Sequence, residues 1–216
     1  MNPPNTDHIV VAADSLDQGC EYVRETLGVA PFGGGEHTAM GTHNRVLKLG
    51  DKCYLEVIAI NPRAPKPMRP RWFEFDTEEM RRSLREKPRL VTWAIRTDNI
   101  EEAAANASAP LGKITAMTRG DLRWRLTLTE DGRLPEAGII PFLIQWEGNA
   151  HPAFKMPESG CTLAGLYGRH PQPETVKQTL QSLGAERLLK VEALGSAPAP
   201  FLTAMINTPN GVKELF

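Results

Sequence analysis

An acid and an imidazole lie in two apolar segments that are far apart in the sequence. Glu56 interrupts the run KCYLEVIAI (52–60), and His8 opens the run HIVVAA (8–13). Side chains alternate between the two faces of a strand, so Glu56 shares a face with Tyr54, Ile58 and Ile60. A buried carboxylate without a partner is costly, so Glu56 either reaches water or is held by a positive charge.

One arrangement would bring the acid and the imidazole together. If Ile9, Val11, Leu55 and Val57 pack on a helix, His8 and Glu56 point to the opposite, concave side of one sheet. Such a pair suits a divalent cation such as Zn, Ni, Mn, Co or Fe, which also neutralises the acid. The alternatives are an ion pair of Glu56 with Arg45 or Arg125, and a solvated His8 at a strand end. We favour the joint site.

The segment HTAMGTHNR offers two more imidazoles. His43 begins a strand that is predicted to pair beside Glu56, so it is the candidate third metal ligand. The alternative is that His37 and His43 bond to the backbone of a loop. The overlapping stretch GGGEH (33–37) lacks the lysine and the helix start of a phosphate-binding loop, and it is predicted to be a flexible lid or turn.

The elements that would position these residues repeat along the chain. A strand, a helix and three strands are predicted in 1–60 and again in 89–152, with Asp14 and Asp98 as the helix caps. A weaker third copy spans 160–216. The class is therefore α+β, built from βαβββ units that must pair to bury their small sheets.

The connector 61–88 is rich in proline and ends in a short helix capped by Thr77. It carries Arg71, Trp72 and Phe73. These aromatic side chains either cover a sheet edge, which is the commoner role, or close over a ligand.

The second unit supplies side chains that suit a small organic ligand. An aromatic wall with polar tips would bind a carbonyl or carboxylate, which Arg45 or Arg125 would hold. Packing in the core is the alternative role of Trp93 and Trp124. The candidate substrate-binding residues are Arg45, Trp93, Trp124, Arg125, Gln145 and Trp146.

Composition excludes several classes of partner. The formal net charge is −1, which disfavours nucleic acid, and no apolar run is long enough to span a membrane. The N-terminus shows no secretory signal, and the three cysteines, Cys20, Cys53 and Cys161, lack CxxC spacing. We therefore expect a cytoplasmic protein with reduced thiols. The unpaired third unit suggests a homodimer.

The order and spacing of these segments resemble the vicinal oxygen chelate superfamily, which includes glyoxalase I, bleomycin-resistance proteins and extradiol dioxygenases. The stretches TDHIVVAADSLDQGCEYVRETLGVAPFGGG, HTAMGTHNRVLKLGDKCYLEVIAI and RPRWFEFD are most similar to its glyoxalase-like branch. The resemblance implies paired βαβββ modules that form a cupped sheet around a divalent metal. It places His8 and Glu56 at the ligand positions of the first module.

The second module departs from the family's ligand pattern. Its matching positions are Thr92 and, from aligning PFLIQW with KCYLEV, Gln145. The third repeat has Leu163 and Glu214 there. The resemblance implies a metal-assisted lyase, isomerase or dioxygenase-type enzyme in which Glu56 moves a proton. The incomplete ligand set leaves open a metal-free protein that sequesters a small molecule, as bleomycin-resistance proteins do.

Overall fold

The structure is a computed structural model that describes residues 5–148 and 151–216. Residues 1–4, at the start of the predicted first unit, and 149–150, near the end of the second, lie outside it. Within the described ranges the chain forms two sheets and four α-helices.

An eight-stranded mixed sheet contains the first two units, in the order β2-β3-β4-β1-β5-β8-β7-β6. Strands β1 and β5 lie antiparallel at its centre, and each pairs in parallel with the last strand of its own unit. The predicted α+β class with paired βαβββ units in a cupped sheet is confirmed. The strands are β1 (Asn5–Ala12), β2 (Phe32–His37), β3 (Thr42–Gly50), β4 (Cys53–Ile60), β5 (Arg89–Arg96), β6 (Lys113–Arg119), β7 (Leu122–Leu128) and β8 (Phe142–Trp146).

The helices begin one residue later than predicted. Helix α1 (Leu16–Leu27) is capped by Ser15 instead of Asp14, and α3 (Ile100–Asn106) by Asn99 instead of Asp98. Both side chains accept a backbone N–H of the first turn, as capping residues do. Because both caps shift by one residue, the predicted alignment of the two units is unchanged.

Alternate side chains of the central strands lie on opposite faces of the sheet, as predicted. Ile9, Val11, Leu55 and Val57 belong to a large core between the sheet and the helices. Val10, Ala12 and Ile58 face the concave side, together with the aromatic residues of the connector. Helix α2 (Glu78–Glu86) also packs there through Met80 and Leu84. The connector therefore fills part of the cup.

The third unit has the predicted element order but a different strand order. Strands β9 (Thr162–His170), β10 (Lys190–Ala193), β11 (Phe201–Thr208) and β12 (Gly211–Leu215), with helix α4 (Pro173–Ser182), form a separate sheet. Its order is β10-β9-β11-β12, whereas the first unit has β2-β3-β4-β1. Leu166, Leu202 and Ile206 join the core on the convex side of the large sheet. This sheet therefore packs against β3 and β5 in the same core as helix α1.

The run GGGEH was predicted to be a lid or turn, and that prediction is wrong. Residues 32–37 form the edge strand β2, which pairs with β3 across a register shift after Phe32. Gly34 has a φ of +89°, and a Cβ there would lie 1.9 Å from the Asn44 carbonyl oxygen. Glycine therefore allows a close approach between two strands.

No helix in residues 5–148 and 151–216 has both the length and the apolar composition that crossing a membrane requires.

Replacement of Gly19 by alanine tests the packing of α1 on β4. Alanine favours a helix over glycine by roughly 1 kcal/mol, but a Cβ at Gly19 would lie 2.4 Å from Val57 Cγ1. Overpacking of this kind costs about 1–3 kcal/mol. We therefore expect Gly19→Ala to lower the free energy of unfolding in urea titrations. The exposed Glu25→Ala on the same helix is the control, and a stabilised Gly19→Ala protein would contradict the close packing.

Candidate functional site

Glu56 is buried on the concave face, 6% exposed, and several polar groups surround it. Asn44 Nδ2 donates a hydrogen bond to Glu56 Oε1 at 2.5 Å. His8 Nε2 lies 3.8 Å from Oε2, and His37 Nε2 lies 3.8 Å from Oε1. The predicted convergence of Glu56 and His8 is therefore present in the structure.

Asp7 fixes the orientation of His8. His8 Nδ1 lies 2.7 Å from Asp7 Oδ1. An ionised carboxylate only accepts hydrogen bonds, so Nδ1 carries a proton and Nε2 is the ring nitrogen that faces Glu56. The ring also stacks on Tyr54 at 4.6 Å and meets the edge of Phe142 at 5.4 Å.

Asp7 is fully buried because a β-bulge turns it inward. The pairing of β1 with β5 shifts between Thr6 and His8, which leaves Asp7 without a partner residue in β5. Its Oδ2 accepts from Trp146 Nε1 at 3.0 Å and from His151 Nε2 at 3.0 Å. Burial raises the pKa of Asp7, but the hydrogen bonds from His151 and His8 outweigh it and hold the pKa well below its usual range.

His37 is a neutral imidazole in the same cluster. Burial lowers its pKa to about 4, against the opposing effect of the Glu56 charge. Arg119 Nη1 lies 3.2 Å from His37 Nε2, and Thr42 Oγ1 lies 3.2 Å from Nδ1. Since a guanidinium only donates, Nε2 is the acceptor and Nδ1 carries the proton.

Arg119 supplies the positive charge that balances Glu56. It ends β6, at the opposite edge of the sheet from β2, and its Nη1 donates to Asn44 Oδ1 at 3.1 Å. The amide of Asn44 thus connects the guanidinium to the carboxylate. A Cβ on Gly35 would lie 2.9 Å from Arg119 Cδ, so glycine leaves the space that the arginine occupies.

A small cavity of about 30 Å³ lies among these groups. That volume holds one or two water molecules. Trp72 lines the cavity, is 4% exposed, and its Nε1 has no hydrogen-bond partner within the part of the chain that the structure describes. A buried N–H group without an acceptor is costly, so this group is available to donate a hydrogen bond to an oxygen atom beside it.

Two of the predicted substrate-binding aromatic residues line this cavity. Trp124 and Trp146 face it, with ring centroids 5.3 Å apart. Trp93 lies on the other face, is fully buried in the helix-side core, and donates to the Ile139 carbonyl. Its prediction as a ligand-binding residue is wrong, because its side chain lies on the face of β5 that points away from the cup.

The predicted polar substrate-binding residues lie outside the cavity. Arg125 forms an ion pair with Glu101 and also donates to Gln145. Gln145 accepts from the Ile100 backbone, so it caps α3 from the convex side. Arg45 is exposed and donates to the Asn44 carbonyl. Along their strands, the side chains of these three residues alternate with side chains that face the cup, so they point to the other face of the sheet.

The structure also corrects the predicted counterpart of Glu56. Val10 lies beside Glu56 across β1 and β4, and its counterpart in the second unit, Ala94, lies beside Phe142. Phe142, and not Gln145, therefore occupies the equivalent position. The second unit supplies no acid to the cup.

His43 does not join the cluster, and its prediction as a metal ligand is wrong. It pairs with Ala59, whose side chain belongs to the core on the helix side. Burial and the nearby Arg45 lower its pKa. The imidazole that does lie beside Glu56 belongs to His37, in the edge strand β2.

The donor atoms do not fit a divalent metal. His8 and Glu56 offer two donors, but His37 Nε2 already accepts from Arg119, whose charge repels a cation. Across residues 5–148 and 151–216, no group of three or more His, Cys, Asp or Glu side chains is arranged to hold a metal ion.

Sequence reasoning missed Asp7, Asn44 and Arg119. Asp7 precedes His8 directly, and a carboxylate beside an imidazole is a usable signal, but a regular strand would place the two on opposite faces. Asn44 lies two residues before Val46, on the same face of β3, and Val46 pairs with Glu56. A correct prediction of how β3 pairs with β4 would therefore have placed Asn44 near Glu56. No local pattern marks Arg119, because its position depends on the curvature of the whole sheet.

Comparison with known proteins agrees with this fold. A hypothetical protein from Staphylococcus aureus is 15% identical over 92% of this chain and 88% of its own, with a TM-score of 0.59. A mutant of 4-hydroxymandelate synthase from Streptomyces coelicolor is 12% identical over 98% of this chain and 61% of its own, with a TM-score of 0.53. No curated protein matches the chain.

The fold and the paired units define a glyoxalase-like protein. The family model described as "Glyoxalase-like domain" matches residues 6–184, so the chain belongs to that family. The predicted resemblance to glyoxalase-like proteins is confirmed.

The burial of neutral His37 predicts a loss of stability in acid. Its pKa is about 4 in the folded protein and close to 6.5 when unfolded, so the unfolded state alone gains a proton as the pH falls from 6.5 toward 4. By pH 4.5 this lowers the free energy of unfolding by about 2–3 kcal/mol. We expect His37→Gln to reduce the difference in stability between pH 7.5 and pH 4.5, measured by urea titration. His43→Gln, which removes a partly exposed imidazole, is the control. An equal reduction in both variants would contradict the assignment to His37.

Elemental analysis tests the donor set. We expect protein purified without a histidine tag, after incubation with Zn, Ni, Mn, Co or Fe and desalting, to retain much less than one equivalent. One retained equivalent that His8→Ala abolishes and His43→Ala preserves would show that Arg119 moves aside for a cation.

Proposed function

We propose that this protein is an isomerase- or lyase-type enzyme that moves a proton on a small, oxygen-bearing organic substrate. The observation that carries the proposal is the buried pair of Glu56 and His8, whose Oε2 and Nε2 atoms lie 3.8 Å apart beside the cavity. A carboxylate and an imidazole that meet beside a cavity are candidates for a general base and a general acid. The proposal keeps Glu56 as the proton shuttle and replaces the predicted metal with side-chain donors.

Glu56 is placed to remove a proton from the carbon next to a carbonyl and to return it later. The electrons of the broken C–H bond move to the carbonyl oxygen as an enolate. The Nε1–H of Trp72 and the guanidinium of Arg119 line the same cavity and are available to stabilise that oxygen.

His8 provides a second site for a proton. Asp7 holds Nδ1, so Nε2 is available to accept the proton of a neighbouring hydroxyl group. Asp7 acts through His8, as a positioning residue. Its ionised state, which three N–H donors besides His8 support, keeps the imidazole in one tautomer.

Sequestration of a ligand without chemistry is the second candidate function. The concave face of the second unit favours it, because apart from Arg119 that face lines the cavity with apolar or aromatic side chains: Leu126, Phe142, Ile144, Trp124 and Trp146. In this case Glu56 would serve only to orient a bound molecule.

Hydrogen exchange in D₂O separates the two functions. Pyruvate, phenylpyruvate and hydroxyacetone carry exchangeable hydrogens next to a carbonyl, and proton NMR follows their loss. We expect the protein to accelerate exchange for at least one of them, and Glu56→Gln to reduce that rate by about 100-fold or more. Glutamine keeps the size and the acceptor oxygen of the side chain but cannot take up the proton.

Glu36→Gln is the matched control, because this exposed carboxylate lies one residue from His37 and outside the cup. Equal rates in Glu56→Gln and Glu36→Gln would contradict the proton-transfer role. Binding of these compounds without acceleration of exchange would instead support sequestration.

A further inference from the structure

A larger cavity, of about 340 Å³, lies beside the cup and is mostly apolar. Arg119 lines both cavities, so this one side chain borders both spaces. The small cavity admits only the polar end of a molecule. A substrate of ordinary size must therefore extend past Arg119 into the larger space.

The walls of this larger cavity expose unusual amounts of aromatic surface. Phe32 is 38% exposed and Phe154 is 53% exposed, and both line it together with Val46, Leu122 and Met156. Water contact with two phenyl rings is unfavourable, and contiguous exposed apolar surface often marks a binding site. The occupant is therefore apolar along its length.

The charges around the cavity favour an anionic end at Arg119. The guanidinium uses Nη1 to bond His37 and Asn44, and it forms no salt bridge with any carboxylate of the described chain. Arginine can bind a carboxylate through two parallel hydrogen bonds. Lys155 adds a second positive charge to the cavity lining, while Asp121 adds an opposing one at an exposed position.

We propose that this site takes a small organic acid, with its carboxylate at Arg119 and its apolar body in the cavity between Phe32 and Phe154. The inference extends the proposed function by naming a class of substrate. Arg119 is then the residue that selects an anion, and the larger cavity selects an apolar body. Binding tests it separately from catalysis.

Octanoate, octanol and acetate are the probes, because they separate the carboxylate from the apolar chain. Isothermal titration calorimetry or tryptophan fluorescence measures their dissociation constants. We expect octanoate to bind at least about tenfold more tightly than either octanol or acetate. Similar affinities for octanoate and octanol would overturn the proposed role of the carboxylate.

Substitution at Arg119 tests the anion contact. We expect Arg119→Met to weaken octanoate by about tenfold or more and to leave octanol unchanged. Arg123→Met is the matched control, since this exposed arginine lies in the adjoining strand and lines neither cavity. If Arg119→Met does not fold, Arg119→Lys keeps the charge without the paired donors, and we expect weaker binding of octanoate by severalfold. Unchanged octanoate affinity in a folded Arg119 variant would overturn the proposal.

Substitution at Phe154 tests the apolar contact independently of Arg119. We expect Phe154→Ser to weaken octanoate and octanol alike, by about fivefold, without changing acetate binding. Phe216→Ser removes an equally exposed phenyl ring outside this cavity and is the control. Equal effects of the two substitutions would mean that the probes bind nonspecifically.

Loss of proton exchange in Glu56→Gln with normal octanoate affinity would leave this inference intact, whereas exchange without octanoate binding would refute the inference alone.

Discussion

The balance of one buried negative charge constrains much of this structure. Glu56 lies in a sheet that is apolar on both sides, and removing a carboxylate from water is expensive unless donors and positive charge replace the water. The replacement comes from Asn44 directly and from Arg119 through Asn44. Because Arg119 and Asn44 belong to opposite halves of the eight-stranded sheet, the neutralisation of the acid also depends on how strongly that sheet curves.

The two halves of the sheet share an architecture but contribute unequal chemistry. The first half supplies the acid, three imidazole or carboxylate groups and an amide, whereas the second half supplies Phe142 at the position equivalent to Glu56. Arg119 is the exception, since it crosses from the second half. The site is therefore a polar cluster against an aromatic wall, which suits a molecule that has one oxygen-bearing end and one apolar end.

Sequence patterns predicted those features that depend on short-range periodicity. The period of two correctly placed His8 and Glu56 on one face, and the repeated order of elements correctly predicted the fold class. Predictions that required exact register failed. His43 and Gln145 were each chosen from a plausible strand whose pairing was not fixed by its apolar residues. The glycines of β2 resembled a turn, although they permit close packing, and a bulge hid Asp7. Arg119 depends on tertiary curvature, which no local pattern records.

The edges of the large sheet, β2 and β6, approach each other without joining in a backbone ladder. A closed barrel would bond these edges along their whole length, but here the Arg119 side chain crosses the gap to Asn44 and His37. Separating the edges therefore breaks few hydrogen bonds. Opening at this seam would break side-chain hydrogen bonds but no backbone ladder, so the closure of the half-barrel depends there on one arginine.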